Sequence, residues 1–446
     1  MTSPIDRIRP AAATRRTVGD AAVRFGLRVV GGAASSDAEA VEVWSVASDD
    51  RTAADGDLFV ALPGARAHGA RFAPAAVERG ARAVLTDERG ASLLSEAEVQ
   101  VPVLVAEDPR ALLGPLAAWV YGGPAERLTT FGVTGTNGKT TTTYLLDHAL
   151  RALGWKGGLV GTVEMRSGDR VLPSRLTTPE AADLQAMLAA MREDGVDTLA
   201  MEVSSHALAL HRVDGLVFDV AGFTNLSQDH LDFHGDLPAY FEAKAALFTP
   251  EHARRGVVVV DDAWGERMAD VARIPVATLR VAAPDGPVPG GPDGSGRLRD
   301  ADWTVVDAVQ ERDGGTSFAV RHRDGRQVRT LTSLPGPFNV ANAALAVAMV
   351  LEAGTDARDL EDALAAAGGL SPAVPGRMEV VSTAPHAPRV VVDFAHNPDA
   401  LALALEALRP TTRGRLAVVF GATATATAAS GRRWVRWRST ARTSSS

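Results

Sequence analysis

The sequence predicts an α/β protein of several domains with a parallel sheet at its centre. Three observations support this fold class. Short apolar runs alternate with helical patterns along most of the chain, as is typical of parallel strands whose connecting helices cover both faces of the sheet. The 446 residues suffice for about two to four domains. A glycine-rich loop, GTNGKT at 135–140, joins a strand pattern to a helix pattern.

The first domain is predicted over residues 1–126. Strand patterns occur at 56–62 (GDLFVAL) and 81–87 (ARAVLTD). A helix is expected to begin at Pro109, because proline suits the first helical turn. The turn-rich segment 121–128 (YGGPAERL) marks the boundary with the next domain.

The second domain is predicted over residues 127–368, where strands and helices alternate most strongly. Its predicted strands are RLTTFGVTG, VDTLAMEVSSH, FDVAGFTNLSQDH and RRGVVVVDD. Polar residues end these strands, and ligands of parallel sheets lie at the carboxyl ends of strands. Residues 283–300, rich in Gly, Pro and Asp, are predicted to be a mobile loop because strand patterns resume after them. An apolar helix is predicted over 337–354.

A third unit is predicted over residues 369–421, followed by an aberrant basic tail at 422–446. The unit contains a strand pattern (PRVVVDFAH), a helix pattern (PDALALALEALR) and a second strand pattern, GRLAVVFGA at 414–422. The tail has five arginines, no acidic residue and no periodicity. We interpret it as the product of a frameshift or a wrongly assigned end, with a genuine disordered basic tail as the alternative.

Composition and charge exclude several classes of protein. The chain is 46% hydrophobic and 22% charged, which is ordinary for a soluble globular protein. A net charge of −8 argues against a nucleic-acid binder, since such proteins carry a basic surface. Without cysteine there are no disulfides, thiolate zinc sites or cysteine nucleophiles. Neither a signal peptide nor an apolar run of about 18 residues is found, so we expect a cytoplasmic protein that does not insert into membranes. The sequence does not visibly encode an oligomeric state, and a monomer is the default expectation.

The glycine-rich loop predicts a phosphate-binding site. Gly135 and Gly138 allow close approach of backbone N–H groups to oxygen atoms, and the following helix adds partial positive charge. Lys139 can reach terminal phosphates, and the Thr140 hydroxyl suits Mg²⁺. The loop is shorter than the common G-x-x-x-x-G-K-[ST] pattern, since Val133 stands where that pattern has its first glycine. A turn with a chance lysine is the weaker alternative.

Two polar clusters follow later strands of the predicted sheet. Glu202 ends one strand, and FTNLSQDHLDFHGD supplies Asp229, His230 and His234. Oxygen ligands suit Mg²⁺, whereas an imidazole also suits softer ions. Zinc is the rival metal, but a zinc site usually needs three or four protein ligands. Individually these residues would more often be loop or cap residues; after a phosphate loop, Mg²⁺ is favoured.

Lys244 lies in a predicted helix, LPAYFEAKAALF, beside several aromatic residues. From the residues alone, a surface lysine whose stem packs on apolar neighbours is favoured. The alternative is a desolvated lysine, whose lowered pKa would leave a nucleophilic neutral amine.

Between about residues 40 and 421, seven segments occur in an order that resembles the Mur ligase family. They are GVTGTNGKTTT, LTTPEAADLQ, MEVSSHALALHRV, FTNLSQDHLDFHGDLPAYFEAKAALF, LPGPFNVANAALA, PGRMEVV and VVDFAHNPDAL. Within that family they are similar to the ligases that add a third residue to UDP-N-acetylmuramoyl-L-alanyl-D-glutamate. The resemblance implies an N-terminal α/β uridine-binding domain, a central P-loop-type ATPase domain with a parallel sheet, and an incomplete C-terminal Rossmann-like domain.

The resemblance also implies the reaction and the residues that perform it. ATP would phosphorylate the D-glutamate carboxylate, and an amino acid, by default meso-diaminopimelate with lysine next, would attack the acyl phosphate. Lys139, Glu202, His230 and Lys244 would be catalytic. Thr140, Glu202, His230 and Lys244, the last carbamylated, would support Mg²⁺. ATP would contact Gly135, Thr136, Asn137, Gly138, Lys139, Thr140, Thr141, Asn339, Arg377, Asp393 and His396. The UDP-linked substrate would contact Ser48, Asp50, Thr177, Thr178, Ser204 and Arg212.

The sequence departs from the family pattern at three places. Many relatives have serine at the position of Asp50 and glutamine at that of Leu210, which affects contacts with the substrate. Nothing after residue 421 matches the family's segment for the incoming amino acid, so we expect weak or no ligation with nucleotide binding retained. Three alternatives stay open: a folylpolyglutamate synthase-type ligase, a nucleotide-dependent switch or transport ATPase, and a binding remnant that holds the UDP-linked dipeptide without catalysis.

Overall fold

The N-terminal part of the computed structural model is an α/β unit with a five-stranded sheet. The structure describes residues 8–12, 14–31, 35–172, 176–281, 300–311, 315–382 and 388–420. The strands here are β1 (Arg16–Thr17), β2 (Arg28–Val30), β3 (Glu42–Val43), β4 (Ser45–Ala47), β5 (Asp57–Val60), β6 (Ala83–Thr86) and β7 (Val103–Val105). The helices are α1 (Val18–Phe25), α2 (Ser35–Glu39), α3 (Ala73–Glu78), α4 (Glu88–Glu96) and α5 (Pro109–Val120).

The strands of this first sheet run in the order β2-β7-β6-β5-β4, and β4 to β7 are parallel. Helix α5 begins at Pro109, as predicted, and Asp108 caps it by accepting from Arg110 N and Ala111 N. Apolar residues of α5 pack in one core with Ala182 and Ala186 of the next unit. This packing places the first sheet against the central one.

The central unit is built on an 11-stranded sheet. Its strands are β8 (Thr129–Thr134), β9 (Gly157–Val160), β10 (Met165–Ser167), β11 (Arg170–Leu172), β12 (Thr198–Glu202), β13 (Phe218–Phe223), β14 (Ala253–Val259), β15 (Val276–Arg280), β16 (Trp303–Gln310), β17 (Thr316–His322) and β18 (Gln327–Thr332). The helices are α6 (Lys139–Ala152), α7 (Ala181–Glu193), α8 (Ser205–Ala209), α9 (Leu231–His234), α10 (Leu237–Ala245), α11 (Ala263–Val271), α12 (Pro337–Glu352) and α13 (Ala357–Ala366).

The order of the central sheet explains where its functional residues meet. It runs β11-β10-β9-β12-β8-β13-β14-β15-β16-β17-β18, with parallel pairing from β9 to β16 and antiparallel hairpins at both edges. Strand β8 lies between β12 and β13. The loops that follow these three strands therefore leave the same edge of the sheet side by side.

The sheet is covered on both faces, as the near-continuous apolar strands predict. In β14, Val257 packs in the core with α6 and α12, and Val258 packs in the core with α7 and α10. Successive side chains of a strand point to opposite faces, so both faces are buried. The predicted α/β class is confirmed, although the edges of the sheet are antiparallel.

The described C-terminal part contains β19 (Glu379–Val380), β20 (Val391–Val392) and α14 (Pro398–Leu408). The two strands pair antiparallel. The strand predicted at 414–422 was wrong within the described residues, because 415–420 form no ladder there and an apolar run needs a paired neighbour to become a strand. The predicted tail at 422–446 lies outside the described residues, as does nearly all of the predicted loop at 283–300. The domain boundaries stay predictions.

Candidate active site

The glycine-rich loop connects β8 to the N-terminus of α6 in the conformation that its glycines permit. Gly135 has φ +148° and Gly138 has φ +89°, a region that residues with a side chain rarely adopt. A Cβ atom on Gly135 would lie 1.9 Å from Thr224 Oγ1, and one on Gly138 would lie 2.3 Å from Asn342 Oδ1. Both positions therefore require glycine for backbone conformation and for space.

Two lysines donate to one carbonyl oxygen of this loop. Lys139 Nζ donates to Gly135 O and to Thr136 O, each at 2.9 Å, and Lys244 Nζ donates to Gly135 O at 2.8 Å. Burial lowers the pKa of Lys139. Burial also holds the pKa of Lys244 well below its ordinary value, and the Lys139 ammonium lowers it further. Because the Lys244 amine is buried close to the Lys139 ammonium, the neutral form of Lys244 is favoured.

Helix α10 brings Lys244 to the loop. Asp236 caps the helix by accepting from Ala239 N at 2.8 Å. The Lys244 ammonium stands 4.3 Å from the centre of the Tyr240 ring, and it is only 1% exposed. The sequence-based preference for a surface lysine with a packed stem was therefore wrong. The aromatic neighbours bury the amine as well as the stem.

Glu202 connects the end of β12 to the start of α6. Its Oε2 accepts from Thr140 Oγ1 at 3.0 Å and from Thr162 Oγ1 at 3.0 Å, while Oε1 accepts from Thr162 N at 2.7 Å. Glu202 is almost fully buried. A carboxylate and a threonine hydroxyl lie together beside the phosphate loop, as β12 and β8 are neighbours in the sheet.

His230 stands at the end of the loop after β13, next to Asp229. Its backbone has φ +52°, and Asp229 Oδ1 accepts from His230 N at 2.9 Å. Asp229 Oδ2 lies 3.7 Å from His230 Nε2 and 3.7 Å from His396 Nε2. Burial lowers the pKa of His230, whereas the Asp229 carboxylate raises the pKa of His396. Asp229 thus bridges the central unit and the C-terminal segment.

The C-terminal segment closes one side of a cavity of about 560 Å³. Arg377 donates from Nη2 to Thr140 Oγ1 at 3.0 Å, across 237 positions of sequence. Asn339 and Asn342 of α12 line the cavity opposite, and Asn342 Oδ1 accepts from Thr142 Oγ1. The cavity therefore has walls from α6, α12 and the C-terminal segment.

Most of the predicted nucleotide and metal residues lie in this cavity, although their roles stay predictions. The lining residues among them are Thr136, Asn137, Gly138, Lys139, Thr140, Thr141, Glu202, His230, Asn339, Arg377, Asp393 and His396, and the predicted substrate residues Thr177 and Ser204 line the cavity as well. Gly135 and Lys244 do not line it, but they bond to each other beside the loop. Among the described residues, no three His, Asp or Glu side chains are grouped closely enough to hold a metal ion.

The predicted substrate residues fall into two places. Thr178 Oγ1 donates to Glu202 O at 2.9 Å and accepts from Ser204 N at 3.3 Å, next to the cavity. Arg212 lies beside them, with Nη1 3.5 Å from Thr178 O. Ser48 and Asp50 follow β4 in the N-terminal unit and do not line the cavity; Asp50 Oδ2 lies 3.6 Å from Arg79 Nη1. A ligand that reaches both places must be elongated.

Sequence reasoning missed several residues of the cavity. Thr162 lies two residues after the end of β9 and belongs to none of the quoted motifs. Its hydrogen bonds to Glu202 identify it as part of the site. Asn225 and Ser227 were inside a segment that we quoted, and both bond to Asn137 of the loop. The signal for Asn225 and Ser227 was therefore present, in a polar run directly after a buried strand.

Comparison with known proteins identifies the family. Sequence models of three Mur ligase domains match in order: the catalytic domain at 42–121, the middle domain at 133–350 and the glutamate ligase domain at 376–433. A UDP-N-acetylmuramyl-tripeptide synthetase from Leifsonia xyli is 46% identical over 95% of this chain and 78% of its own length. The chain belongs to the Mur ligase family. A UDP-N-acetylmuramoyl-L-alanyl-D-glutamate–2,6-diaminopimelate ligase from Streptomyces avermitilis is also 46% identical to this Mur ligase, over 87% of the chain and 72% of the relative.

Solved structures agree with this assignment. A UDP-N-acetylmuramoyl-L-alanyl-D-glutamate–2,6-diaminopimelate ligase superposes on this Mur ligase with a TM-score of 0.65 at 27% identity, covering 89% of this chain and 76% of that chain. An FPGS–AMPPCP–folate complex is more distant, with a TM-score of 0.53 at 20% identity over 73% of this chain and 82% of that one. At that identity the likeness concerns the fold alone. Across the described residues, every helix is too short or too polar to cross a bilayer.

Proposed function

We propose that this Mur ligase adds meso-diaminopimelate to UDP-N-acetylmuramoyl-L-alanyl-D-glutamate at the expense of ATP. The observation that carries the proposal is the single cavity in which the phosphate loop, Glu202 and Arg377 meet. The printed names of relatives at 46% identity supply the substrate. We further infer that the enzyme acts as a cytoplasmic monomer.

The residues of the cavity suit the activation of a carboxylate. A carboxylate is a poor electrophile, and its phosphorylation by ATP creates an acyl phosphate that an amine can attack. Transfer of the phosphoryl group depends on positioning and on positive charge around its oxygens. Lys139 and Arg377 supply this charge from two sides of the cavity, and the glycines of the loop leave room for the phosphates.

The Thr140 and Glu202 pair suits Mg²⁺. Mg²⁺ prefers oxygen ligands, keeps several waters, and is usually held by one or two carboxylates together with substrate phosphates, so it does not need three protein carboxylates. Thr140 Oγ1 and Glu202 Oε2 lie 3.0 Å apart beside the loop. When bound, Mg²⁺ would neutralise charge on the transferred phosphoryl group. His230 is the residue we assign to a second Mg²⁺.

Lys244 is suited to carbamylation. Its neutral amine would attack the carbon of CO₂, forming an N–C bond, releasing one proton and leaving a carbamate anion. The reaction requires an unprotonated amine, and the burial of Lys244 beside Lys139 favours that form. A carbamate would place a negative charge in this region, which suits support of a cation.

The test of the proposed function uses the purified chain with ATP, Mg²⁺ and the UDP-linked dipeptide. Phosphate release and product mass are measured with meso-diaminopimelate, with L-lysine and with neither. We expect one phosphate per product, a preference for meso-diaminopimelate and a low rate, in line with the weak ligation that the sequence predicts. Phosphate release that ignores the UDP-linked dipeptide would indicate a switch or transport ATPase, and binding of the dipeptide without product would indicate a remnant. Either result overturns the proposal.

A further inference from the structure

The carboxylate of Glu180 lies between two guanidinium groups from different parts of the chain. Glu180 Oε1 is 2.8 Å from Arg212 Nη2, and Oε2 is 3.7 Å from Arg110 Nη1. Arg110 belongs to α5 of the N-terminal unit, and Arg212 follows α8 of the central unit. The shorter contact, to Arg212, is a close ion pair between a guanidinium nitrogen and a carboxylate oxygen.

Glu180 is not used to cap the helix that it precedes. It occupies the N-cap position of α7 with extended backbone, φ −62° and ψ 149°, yet its side chain makes no capping hydrogen bond. Aspartate, asparagine, serine and threonine at this position commonly accept from the first N–H groups of the helix, whereas glutamate is not among the preferred caps. Here the carboxylate is directed to Arg212 instead, so its role lies in that contact.

The shortest polar contact of the Arg212 guanidinium is the one to Glu180. Arg212 Nη1 is 3.5 Å from Thr178 O, at the limit for a hydrogen bond. Its Nε is buried and has no hydrogen-bond partner in the described part of the chain. The Arg212 side chain is only 15% exposed. Without Glu180, the plane of this guanidinium would be fixed by packing and one long contact.

We propose that Glu180 is a positioning residue for recognition of the substrate. It orients Arg212 beside Thr178 and Ser204, so that the guanidinium binds an acidic group, carboxylate or phosphate, of the UDP-linked dipeptide. This inference rests on the proposed function, because it takes that dipeptide as the ligand of Arg212. Glu180 acts by geometry: an acceptor at its position is needed, whereas its negative charge is not, since that charge disfavours an anionic ligand.

The experiment measures binding of UDP-N-acetylmuramoyl-L-alanyl-D-glutamate by calorimetry, in the absence of ATP. Because it removes the closest charged partner of Arg212, Glu180→Ala is expected to weaken binding about tenfold. Glu180→Gln keeps an acceptor for Arg212 Nη2 and should bind within about threefold of the unchanged chain. Arg110→Ala is the matched control, because it removes the other partner of Glu180, together with a long contact to the backbone Leu210 O at 3.5 Å, and leaves the Arg212 contact in place. It should bind like the unchanged chain.

A double-mutant cycle separates positioning from a merely structural role. If Glu180 acts through Arg212, then Glu180→Ala adds nothing to the loss already caused by Arg212→Ala. The proposal would be overturned if the losses of affinity in Glu180→Ala and Arg212→Ala were additive. It would also be overturned if both Glu180→Gln and Glu180→Ala bound the dipeptide more tightly, or if Arg110→Ala lost as much affinity as Glu180→Ala. Binding of an ATP analogue, unchanged in all variants, shows that they fold. If the unchanged chain does not bind the dipeptide, the proposed function itself fails.

Discussion

At the scale of single residues, the phosphate loop depends on a glycine whose neighbour leaves no space. Gly138 combines φ +89° with a Cβ position 2.3 Å from Asn342 Oδ1. Gly138→Ala should therefore displace the loop or α12. We expect its affinity for ATP to fall at least about tenfold, because the loss of one charged hydrogen bond to phosphate lowers affinity by about that factor. Calorimetric titration with a non-hydrolysable ATP analogue measures this change.

Gly154 provides the matched control for that substitution. It has a similar backbone, φ +86°, but no atom lies within 4 Å of its Cβ position. Gly154→Ala therefore carries the same backbone strain of about 1 kcal/mol without a clash in the loop. Its affinity for the analogue should equal that of the unchanged chain. An equal loss of affinity in both variants would show that backbone strain, and not the space beside Asn342, governs the loop.

Lys244 should react with CO₂ over a wider pH range than an ordinary lysine. An ordinary lysine loses its neutral form about tenfold for each pH unit below a pKa near 10.4. Because burial lowers the pKa of Lys244, its neutral form persists to lower pH, and carbamylation is lost only as pH falls through that lowered pKa. The carbamate should be visible by ¹³C NMR in ¹³C-bicarbonate at neutral pH.

The composition makes that measurement unusually clear. The chain contains three lysines, namely Lys139, Lys156 and Lys244. Lys156 is exposed, so Lys156→Arg should leave the carbamate signal unchanged, while Lys244→Arg should remove it. The α-amino group of the chain also forms a carbamate at neutral pH, and its signal should stay in every variant. Retention of every signal in Lys244→Arg, or a Lys244 signal that falls with pH as steeply as for a free amine, would contradict carbamylation of a desolvated Lys244.

At the scale of elements, the sequence predicted features that depend on neighbouring residues, such as the start of a helix. It did not predict contacts between residues that are far apart in the chain. A helix pattern was predicted directly after the glycine-rich loop, and α6 spans Lys139–Ala152, because its start is encoded by the adjacent glycine and lysine. The contact of Lys244 with Gly135 joins residues 109 positions apart, and no periodicity reports such a distance. The burial of Lys244 was missed for the same reason, since helical spacing does not show what covers a helix.

Helix α10 supplies the prediction that belongs to this scale. Asp236 caps it, and substitution of a capping aspartate by alanine costs about 1 kcal/mol. Asp236→Ala should therefore lower the thermal midpoint and also reduce the carbamate signal of Lys244, which this helix carries. Differential scanning calorimetry and ¹³C NMR measure the two effects.

Asp356 offers a control on a helix that does not carry Lys244. It caps α13 by accepting from Arg358 N at 2.8 Å and Asp359 N at 3.3 Å. Asp356→Ala should lower the thermal midpoint by a similar amount and leave the carbamate signal unchanged. If both variants reduced the signal equally, global stability would account for it, and a specific role of α10 in placing Lys244 would be ruled out.

At the scale of the whole molecule, two contacts join units that are far apart in sequence. Arg377 and His396 of the C-terminal segment meet Thr140 and Asp229 of the central unit. Near the other end, Ala11 N and Ala12 N donate to the carboxylate of Glu193 in α7. The nucleotide cavity is thus completed by the C-terminal contacts, whereas the N-terminal contacts hold the first sheet in place.

Arg9 is the residue through which the N-terminal segment is fixed to the first sheet. Its guanidinium makes two bonds to the Asp57 carboxylate, at 3.0 and 2.9 Å, and one to Thr52 O at 2.8 Å. Asp57 has a fully buried side chain, while that of Arg9 is 32% exposed. Removing the arginine takes two charge-assisted hydrogen bonds from a buried carboxylate, and we expect Arg9→Ala to cost about 1–3 kcal/mol.

Calorimetry of Arg9→Ala and Arg28→Ala tests whether burial of the carboxylate decides this cost. Arg28 pairs with Glu88, but the two side chains are 55% and 75% exposed, and such surface pairs contribute about 0–1 kcal/mol. Arg9→Ala should lower the midpoint of the unfolding transition that contains the first sheet, whereas Arg28→Ala should not shift that midpoint measurably.

Equal shifts would mean that the loss of either arginine destabilises this sheet by the same amount. Arg9 would then have no special part in fixing the N-terminal segment. A second comparison uses the unfolding transition whose midpoint ATP raises. If Arg9→Ala also lowered that midpoint, the segment would stabilise the central unit as well, through its bonds to Glu193.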